Sequence, residues 1–164
     1  AMKTLFPTLE ECRVSSKTAI EEDSTYAPAF SGLSSAYALA ITYRYDIGVD
    51  GFASAALALT AVITDPNTVH PREAVEVRCE APDYEILLAD WLNALVFEMA
   101  TRGMLFSEFS ITLEGEHLHG TARGEAVDVQ RHQPAAEPKG ATFTALRVHR
   151  EPEGTWHAQC VIDV

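Results

Sequence analysis

The chain ends in a short, mostly apolar run that carries an acid at its last-but-one position. Residues 158–162 read as a strand, Asp163 follows it, and Val164 closes the sequence with an α-carboxylate. Carboxylate and main-chain oxygens are the ligands that hard cations such as Ca²⁺ and Mg²⁺ prefer. The residues therefore allow a metal site here, although a solvated strand end is the interpretation that they favour when taken alone.

A second group of polar residues lies between residues 124 and 143. It combines His132, Glu137 and Lys139 with two prolines, shortly before a predicted strand. Loops of this kind often carry binding groups that a rigid scaffold positions. A solvated connection stiffened by proline explains the same composition, and both interpretations stay open at this point.

Two histidines have the spacing of a partial metal centre. His117 and His119 are two residues apart, which on a strand places both rings on one face. A pair of imidazoles needs further ligands to hold a metal. Solvated strand histidines are the favoured interpretation of this pair.

The common catalytic signatures are absent from the sequence. It contains no GxxxxGK[ST], no HExxH, no GxSxG and no GxGxxG after a strand. These patterns position phosphates, zinc or a nucleophilic serine in the commonest enzyme classes. We therefore predict no catalytic residues.

Composition predicts one acidic domain. The 164 residues are 47% hydrophobic, which suffices for a single core. The 24 acidic and 12 basic side chains give a net charge of −12. This charge repels a phosphate backbone, so direct nucleic-acid binding is not expected, whereas docking on a basic protein partner is compatible with it.

The cysteines and the apolar stretches indicate a cytoplasmic protein. Cys12, Cys79 and Cys160 are scattered without CxxC spacing, which predicts neither a disulfide framework nor a zinc site. The longest apolar stretch, residues 52–63, is too short to cross a bilayer. The first residues show no secretory signal. We predict a reducing compartment and no membrane span.

Apolar periodicity predicts an α+β fold. Helices are predicted over residues 52–63 and 83–102, the second with Asp83 as its N-cap and Gly103 as its C-cap. Strands are predicted over residues 41–45, 73–79, 105–113, 117–125, 142–148 and 156–162. Short turns between neighbouring strands favour antiparallel pairing, so we expect one domain of about six strands and two principal helices. Residues 1–42 give no assignable pattern and are expected to belong to the same domain.

Several segments together resemble the archease family, and the resemblance covers residues 46–164, about three-quarters of the chain. In order, the matching segments are Asp46-Ile47-Gly48-Val49, residues 52–59, Thr64-Asp65, residues 87–93, residues 103–106, Gly124-Glu125, Asp128, His132, Pro134, residues 137–143, Trp156 and Ile162-Asp163-Val164. Each segment is weak by itself, but their order and spacing are specific. We expect residues 43–164 to form an archease-like domain.

The resemblance implies a role as an accessory protein. Archeases activate the RtcB-type RNA ligase in tRNA splicing and RNA repair, where they promote guanylylation of the ligase and its multiple turnover. The resemblance implies that Asp46, Asp163 and Val164 bind a divalent cation. Ca²⁺ is expected, with Mg²⁺ or Mn²⁺ as alternatives. Lys139, with His132 and Glu137, is expected to serve activation or docking of the ligase.

The N-terminal metal ligand has two candidate registers. Tyr43-Arg44-Tyr45 stands where the family has His-Thr-Ala before its aspartate, and the family's spacing to the first helix is shortened here. A second register places Asp23 at the motif. We prefer Asp46.

Two other functional classes remain open at the level of sequence. A metal-dependent hydrolase or phosphotransfer enzyme would use Asp46, Asp163, His132 and Lys139 as ligands and acid–base groups. A general chaperone-like interaction domain would bind partners without this chemistry. Turnover of a phosphate ester by the isolated chain distinguishes the first class from an accessory protein.

Overall fold

The computed structural model describes residues 43–45, 49–150, 152 and 156–164. These residues form helices and antiparallel strands, as the α+β prediction requires. In chain order the elements are β1 (Tyr43–Tyr45), α1 (Val49–Ile63), the 3-10 helix Pro66–Thr68, β2 (Glu73–Glu80), α2 (Tyr84–Arg102), β3 (Met104–Glu114), β4 (His117–Ala126), α3 (Val129–His132), β5 (Gly140–Arg150) and β6 (Trp156–Asp163).

Helix α1 exists because its apolar residues recur at helical spacing and bury one face. The residues of this face are at most 3% exposed and include Phe52, Ala55, Ala56, Leu59 and Ile63. Beyond its end, the Asp65 side chain accepts a hydrogen bond from the Asn67 N–H at 3.0 Å and caps the 3-10 helix. The predicted helix is confirmed, and it begins three residues earlier than predicted.

Helix α2 has the two caps that the sequence predicts. The Asp83 side chain accepts a hydrogen bond from the Ile86 N–H at 2.8 Å, which satisfies a free donor of the first turn. Gly103 ends the helix at φ 61°, a left-handed conformation that glycine adopts at little steric cost. The fully buried side chains of its inner face include Leu87, Trp91, Leu92 and Leu95.

The first sheet has the strand order β2-β4-β3, and all its pairs are antiparallel. Its inner face packs against α1 and α2. Two glycines of β4 allow this packing. A Cβ at Gly120 would lie 2.5 Å from the Trp91 ring, and one at Gly124 would lie 1.8 Å from the Leu105 carbonyl oxygen.

The second sheet has the order β1-β6-β5 and is also antiparallel. Its buried side chains are small or aliphatic: Ala141, Ala158, Cys160 and Ile162. In this sheet β5 is an edge strand, so the main-chain groups on its outer side have no neighbouring strand. Such groups can form hydrogen bonds with another protein chain unless they are covered.

Helix α2 covers this free edge through two polar side chains. The Asn93 amide donates to the Ala141 carbonyl at 3.1 Å, and its oxygen accepts the Ala141 N–H at 2.7 Å. Near the other end of the strand, the Glu85 carboxylate accepts the Val148 N–H at 2.9 Å. Helix and strand therefore run antiparallel, with an anchor near each end.

A wide bulge makes the lengths of the two elements match. Residues 143–146 lie opposite Cys160 alone, so β5 carries three surplus residues, and Ala145 adopts φ 52° within them. From Glu85 to Asn93 a helix advances about 12 Å, whereas seven extended residues of strand advance about 23 Å. The three surplus residues account for about 10 Å of this difference. The bulge therefore allows both anchors to form.

Candidate functional site

Lys139 and the last two residues of the chain meet at the start of β5. The Lys139 N–H donates to the Asp163 carbonyl at 2.7 Å, and its Nζ donates to the main-chain oxygen of Val164 at 3.0 Å. Strand pairing places Gly140 opposite Asp163. The side chains of Lys139 and Asp163 are exposed. We call Lys139, Asp163 and Val164 the lysine corner.

Asn93 fixes the lysine corner to the core. Its two hydrogen bonds hold Ala141, which is 8% exposed and lies opposite Ile162. Ile162 is fully buried. The corner thus projects from a part of the sheet whose position is set by α2.

The lysine corner has part of the chemistry of a metal site. The exposed Asp163 carboxylate and the Val164 main-chain oxygen are hard donors, which fit Ca²⁺ or Mg²⁺. Within the part of the chain that the structure describes, however, no three His, Cys, Asp or Glu side chains come together as metal ligands. Asp46 and its alternative, Asp23, lie outside the described residues. The described residues thus supply one carboxylate and one main-chain oxygen toward such a site.

An ion cluster lies at the end of β4, centred on the buried Glu125, which is 5% exposed. Its Oε1 accepts the His70 N–H at 2.7 Å and lies 2.9 Å from His70 Nδ1. Arg131 Nη1 is 2.9 Å from the same oxygen, and Arg72 Nε is 3.5 Å from Oε2. The carboxylate thus links the loop before β2 to α3.

These partners hold the pKa of Glu125 far below its usual range. The hydrogen bond from Arg131 has the largest effect, followed by the main-chain N–H of His70. Burial acts in the opposite direction and is outweighed. Glu125 is therefore a charged structural acid and does not act as a proton donor.

His132 lies inside this cluster, and its ring is fully buried. The Asp128 N–H donates to its Nδ1 at 2.9 Å, so Nε2 carries the proton and donates to Glu125 at 3.3 Å. The Thr64 hydroxyl donates to its carbonyl. His132 is not an exposed side chain, because its polar atoms have internal partners, and its role in docking stays a prediction. Any effect of His132 on docking acts through the loop and not by direct contact.

Glu137 does remain on the surface, two residues before Lys139. The loop that carries it is held at Ala135, whose N–H donates to the Ile63 carbonyl at 2.8 Å. Glu137 is therefore available for contact beside the lysine corner.

His117 and His119 pair with acids across the first sheet. His117 Nδ1 lies 3.4 Å from Glu80, and His119 Nε2 lies 3.7 Å from Glu76. Both rings are about half exposed or more. They are surface histidines, as the sequence favours.

Sequence reasoning gave no role to Asn93 or Arg131. Asn93 stands among the apolar residues of α2, and a lone amide on such a face is a signal of a buried hydrogen-bonding task. Arg131 gives no comparable signal, because a basic residue in a polar segment is ordinarily solvated and its partner His70 is 61 positions away.

The fold and the site define a class: a small α+β protein of two antiparallel sheets, with an exposed lysine corner held by a buried core. The model of the Archease protein family (MTH1598/TM1083) matches residues 50–164. A protein archease of Methanopyrus kandleri is 40% identical over 123 residues, covering 73% of this chain and 87% of the relative. One from Thermococcus gammatolerans is 35% identical and covers 73% of this chain and 92% of the relative. The chain belongs to the archease family.

Solved structures agree with this assignment. Methanobacterium thermoautotrophicum protein 1598 has a TM-score of 0.64 and 30% identity, with 80% of this chain and 94% of that one covered. An archease from Thermotoga maritima, described as a possible chaperone, has a TM-score of 0.51 and 19% identity over 78% and 90% of the two chains. The second likeness shows the fold alone. The predicted family is confirmed.

In the described residues, no helix is long and apolar enough to cross a membrane.

Proposed function

We propose that this protein is a non-enzymatic, metal-binding activator of an RtcB-type RNA ligase, acting in the cytoplasm in tRNA splicing or RNA repair. The observation that carries the proposal is the lysine corner, where Lys139 bonds both Asp163 and Val164. Family membership supports an accessory role. The corner supplies an exposed cation and an exposed acid on residues that are hydrogen-bonded to each other, which suits recognition of a partner's charged groups.

The overall charge supports a protein partner that binds RNA. A net charge of −12 attracts a basic surface and speeds its encounter with this chain. The same charge opposes direct RNA binding. The ligase therefore holds the RNA, and this protein acts on the ligase.

The metal would be held by Asp163 and Val164 together with an acid from the N-terminal segment. When bound, Ca²⁺ or a similar divalent cation neutralises carboxylates that would otherwise repel one another. Asp46 is the preferred second ligand and Asp23 the alternative. The register of β1 counts against Asp46, because its neighbour Tyr45 pairs with Trp156, seven positions from Asp163 on β6, which is about 23 Å along an extended strand. Asp23 is therefore tested beside Asp46.

The test adds purified protein to a purified RtcB-type ligase, with and without a chelator, and follows guanylylation and multiple turnover. Asp163→Ala is expected to keep the fold, because the side chain is exposed, and to abolish stimulation. Glu116→Ala is the matched control, because it removes another exposed acid that is not part of the lysine corner. Glu116 lies near the start of α2, where its carbonyl accepts a hydrogen bond from the Ala81 N–H. Full stimulation by Asp163→Ala would refute the metal-dependent proposal.

The same preparation separates this proposal from a hydrolase. We expect no turnover of phosphate esters by the isolated chain, with or without added Ca²⁺, Mg²⁺ or Mn²⁺. Hydrolysis that is lost in Asp163→Ala would favour the enzyme instead. Asp46→Asn and Asp23→Asn then assign the second ligand by calcium titration calorimetry, an assay that does not depend on the ligase.

A further inference from the structure

Phe97 is a large aromatic side chain that the fold leaves uncovered. It lies on α2 and is 62% exposed, whereas Leu95, Val96 and Met99 around it are buried. It follows Asn93 by four residues, so it lies on the same side of the helix, toward β5. The strand begins only at Gly140 and therefore does not extend over it.

The two anchors of α2 set the position of Phe97 along the helix axis relative to the lysine corner. Asn93 is bonded to Ala141, and helix and strand run antiparallel. Four helical residues beyond Asn93 advance about 6 Å. Two residues before Ala141 along an extended chain cover about 7 Å and reach Lys139. Phe97 is thus level with Lys139 along the axis of α2.

Phe97 and the lysine corner together have the composition of a protein-binding surface. An exposed aromatic residue with charged neighbours is typical of binding hot spots, where the aromatic enters a dry pocket and the charges form the rim. Glu137 and Asp163 add exposed acids to this rim. We propose that Phe97 is the apolar anchor through which the lysine corner docks on its basic protein partner, which rests on the proposed function and makes that partner the RNA ligase.

An exposed aromatic residue can also stack on the bases of single-stranded RNA. Such sites combine aromatic residues with a positively charged groove, however, and the net charge of this chain is −12. The protein partner is therefore the occupant that the charge favours, and RNA is one outcome of the test.

The experiment compares Phe97→Ser with Phe143→Ser, because Phe143 is equally exposed at 64% but lies four residues beyond Lys139, in the bulge of β5. Affinity for the purified ligase is measured by titration calorimetry, and guanylylation is measured at saturating concentrations of each variant. We expect Phe97→Ser to weaken binding at least about tenfold and to retain full stimulation at saturation. Phe143→Ser should bind within about twofold of the parent, and Phe97→Tyr should restore most of the affinity.

The outcomes separate the anchor from the proposed function. If the parent binds and stimulates the ligase but Phe97→Ser binds equally tightly, the anchor is wrong and the proposed function stands. Equal losses in the two serine variants also overturn the assignment of Phe97. If the parent neither binds nor stimulates the ligase, both proposals fail. Binding of single-stranded RNA that Phe97→Ser abolishes, without an effect on ligase affinity, replaces the protein partner with RNA.

Discussion

Replacement of Asn93 by alanine tests whether α2 fixes the lysine corner through the edge of β5. Asn93→Ala removes both hydrogen bonds to Ala141, at 2.7 and 3.1 Å. Each hydrogen bond stabilises the folded state by about 1 kcal/mol net, and a buried polar group that is left without a partner costs about 1–3 kcal/mol more. Since Ala141 is 8% exposed, water replaces the lost partners only in part. We expect the free energy of unfolding to fall by about 2–3 kcal/mol.

Urea denaturation followed by tryptophan fluorescence measures this change, because Trp91 is fully buried on the same helix. A loss of this size lowers the urea midpoint by about 1–2 M without changing the slope of the transition. Asn67→Ala is the matched control, because Asn67 is exposed and, among the residues that the structure describes, its side chain donates a hydrogen bond only to the neighbouring Asp65. We expect that variant to lie within about 0.5 kcal/mol of the parent.

A second variant, Asn93→Asp, tests the same anchor through the dependence of its stability on pH. It keeps an acceptor for the Ala141 N–H but places a carboxylate oxygen against the Ala141 carbonyl, in place of the donor that stands at 3.1 Å. It should therefore be destabilised at pH 7, and less so near pH 4, where the carboxyl begins to regain a proton. If Asn93→Ala is no less stable than Asn67→Ala, the edge anchor contributes nothing and the reasoning fails.

Two further predictions concern β4. Gly124→Ala should lower the free energy of unfolding by more than about 3 kcal/mol, because its Cβ would meet the Leu105 main chain at 1.8 Å. Gly103→Ala meets no atom within 4 Å and should lower it by only about 1 kcal/mol, because of its positive φ. Equal urea midpoints for the two variants would contradict this prediction. Because the pKa of Glu125 is lowered in the fold, its contribution to stability is present above about pH 4.5 and is lost as the pH falls below that value. The stability of Glu125→Gln should therefore depend less on pH than that of the parent between about pH 5 and pH 3, and parallel profiles would exclude this role for the carboxylate.

The helices could be predicted because their signals are local. The apolar spacing of α1 and the caps at Asp83 and Gly103 lie within a few residues of the structure that they specify. The lysine corner could be predicted only as separate pieces, from the family's order of motifs. Its hydrogen bonds depend on the pairing of β5 with β6, which joins Gly140 to Asp163.

The bulge and the ion cluster could not be predicted, for different reasons. Residues 143–146 have ordinary strand propensities, and nothing in their types marks a positive φ at Ala145. The bulge follows from the need to match α2 in length. The role of Glu125 does not follow from the sequence, because its partner His70 is 55 positions away and only the folded chain shows that its charge is satisfied.

The bulge of β5 also decides where the chain tolerates a change in length. The three surplus residues lie between the paired residues Thr142 and Arg147, inside neither anchor of α2. Adding or removing a residue there leaves Gly140 opposite Asp163. A change of one residue between Lys139 and Ala141 would instead turn every following or preceding side chain to the opposite face. The bulge is therefore the position in β5 at which a peptide tag can be inserted while Lys139 keeps its place beside the end of the chain.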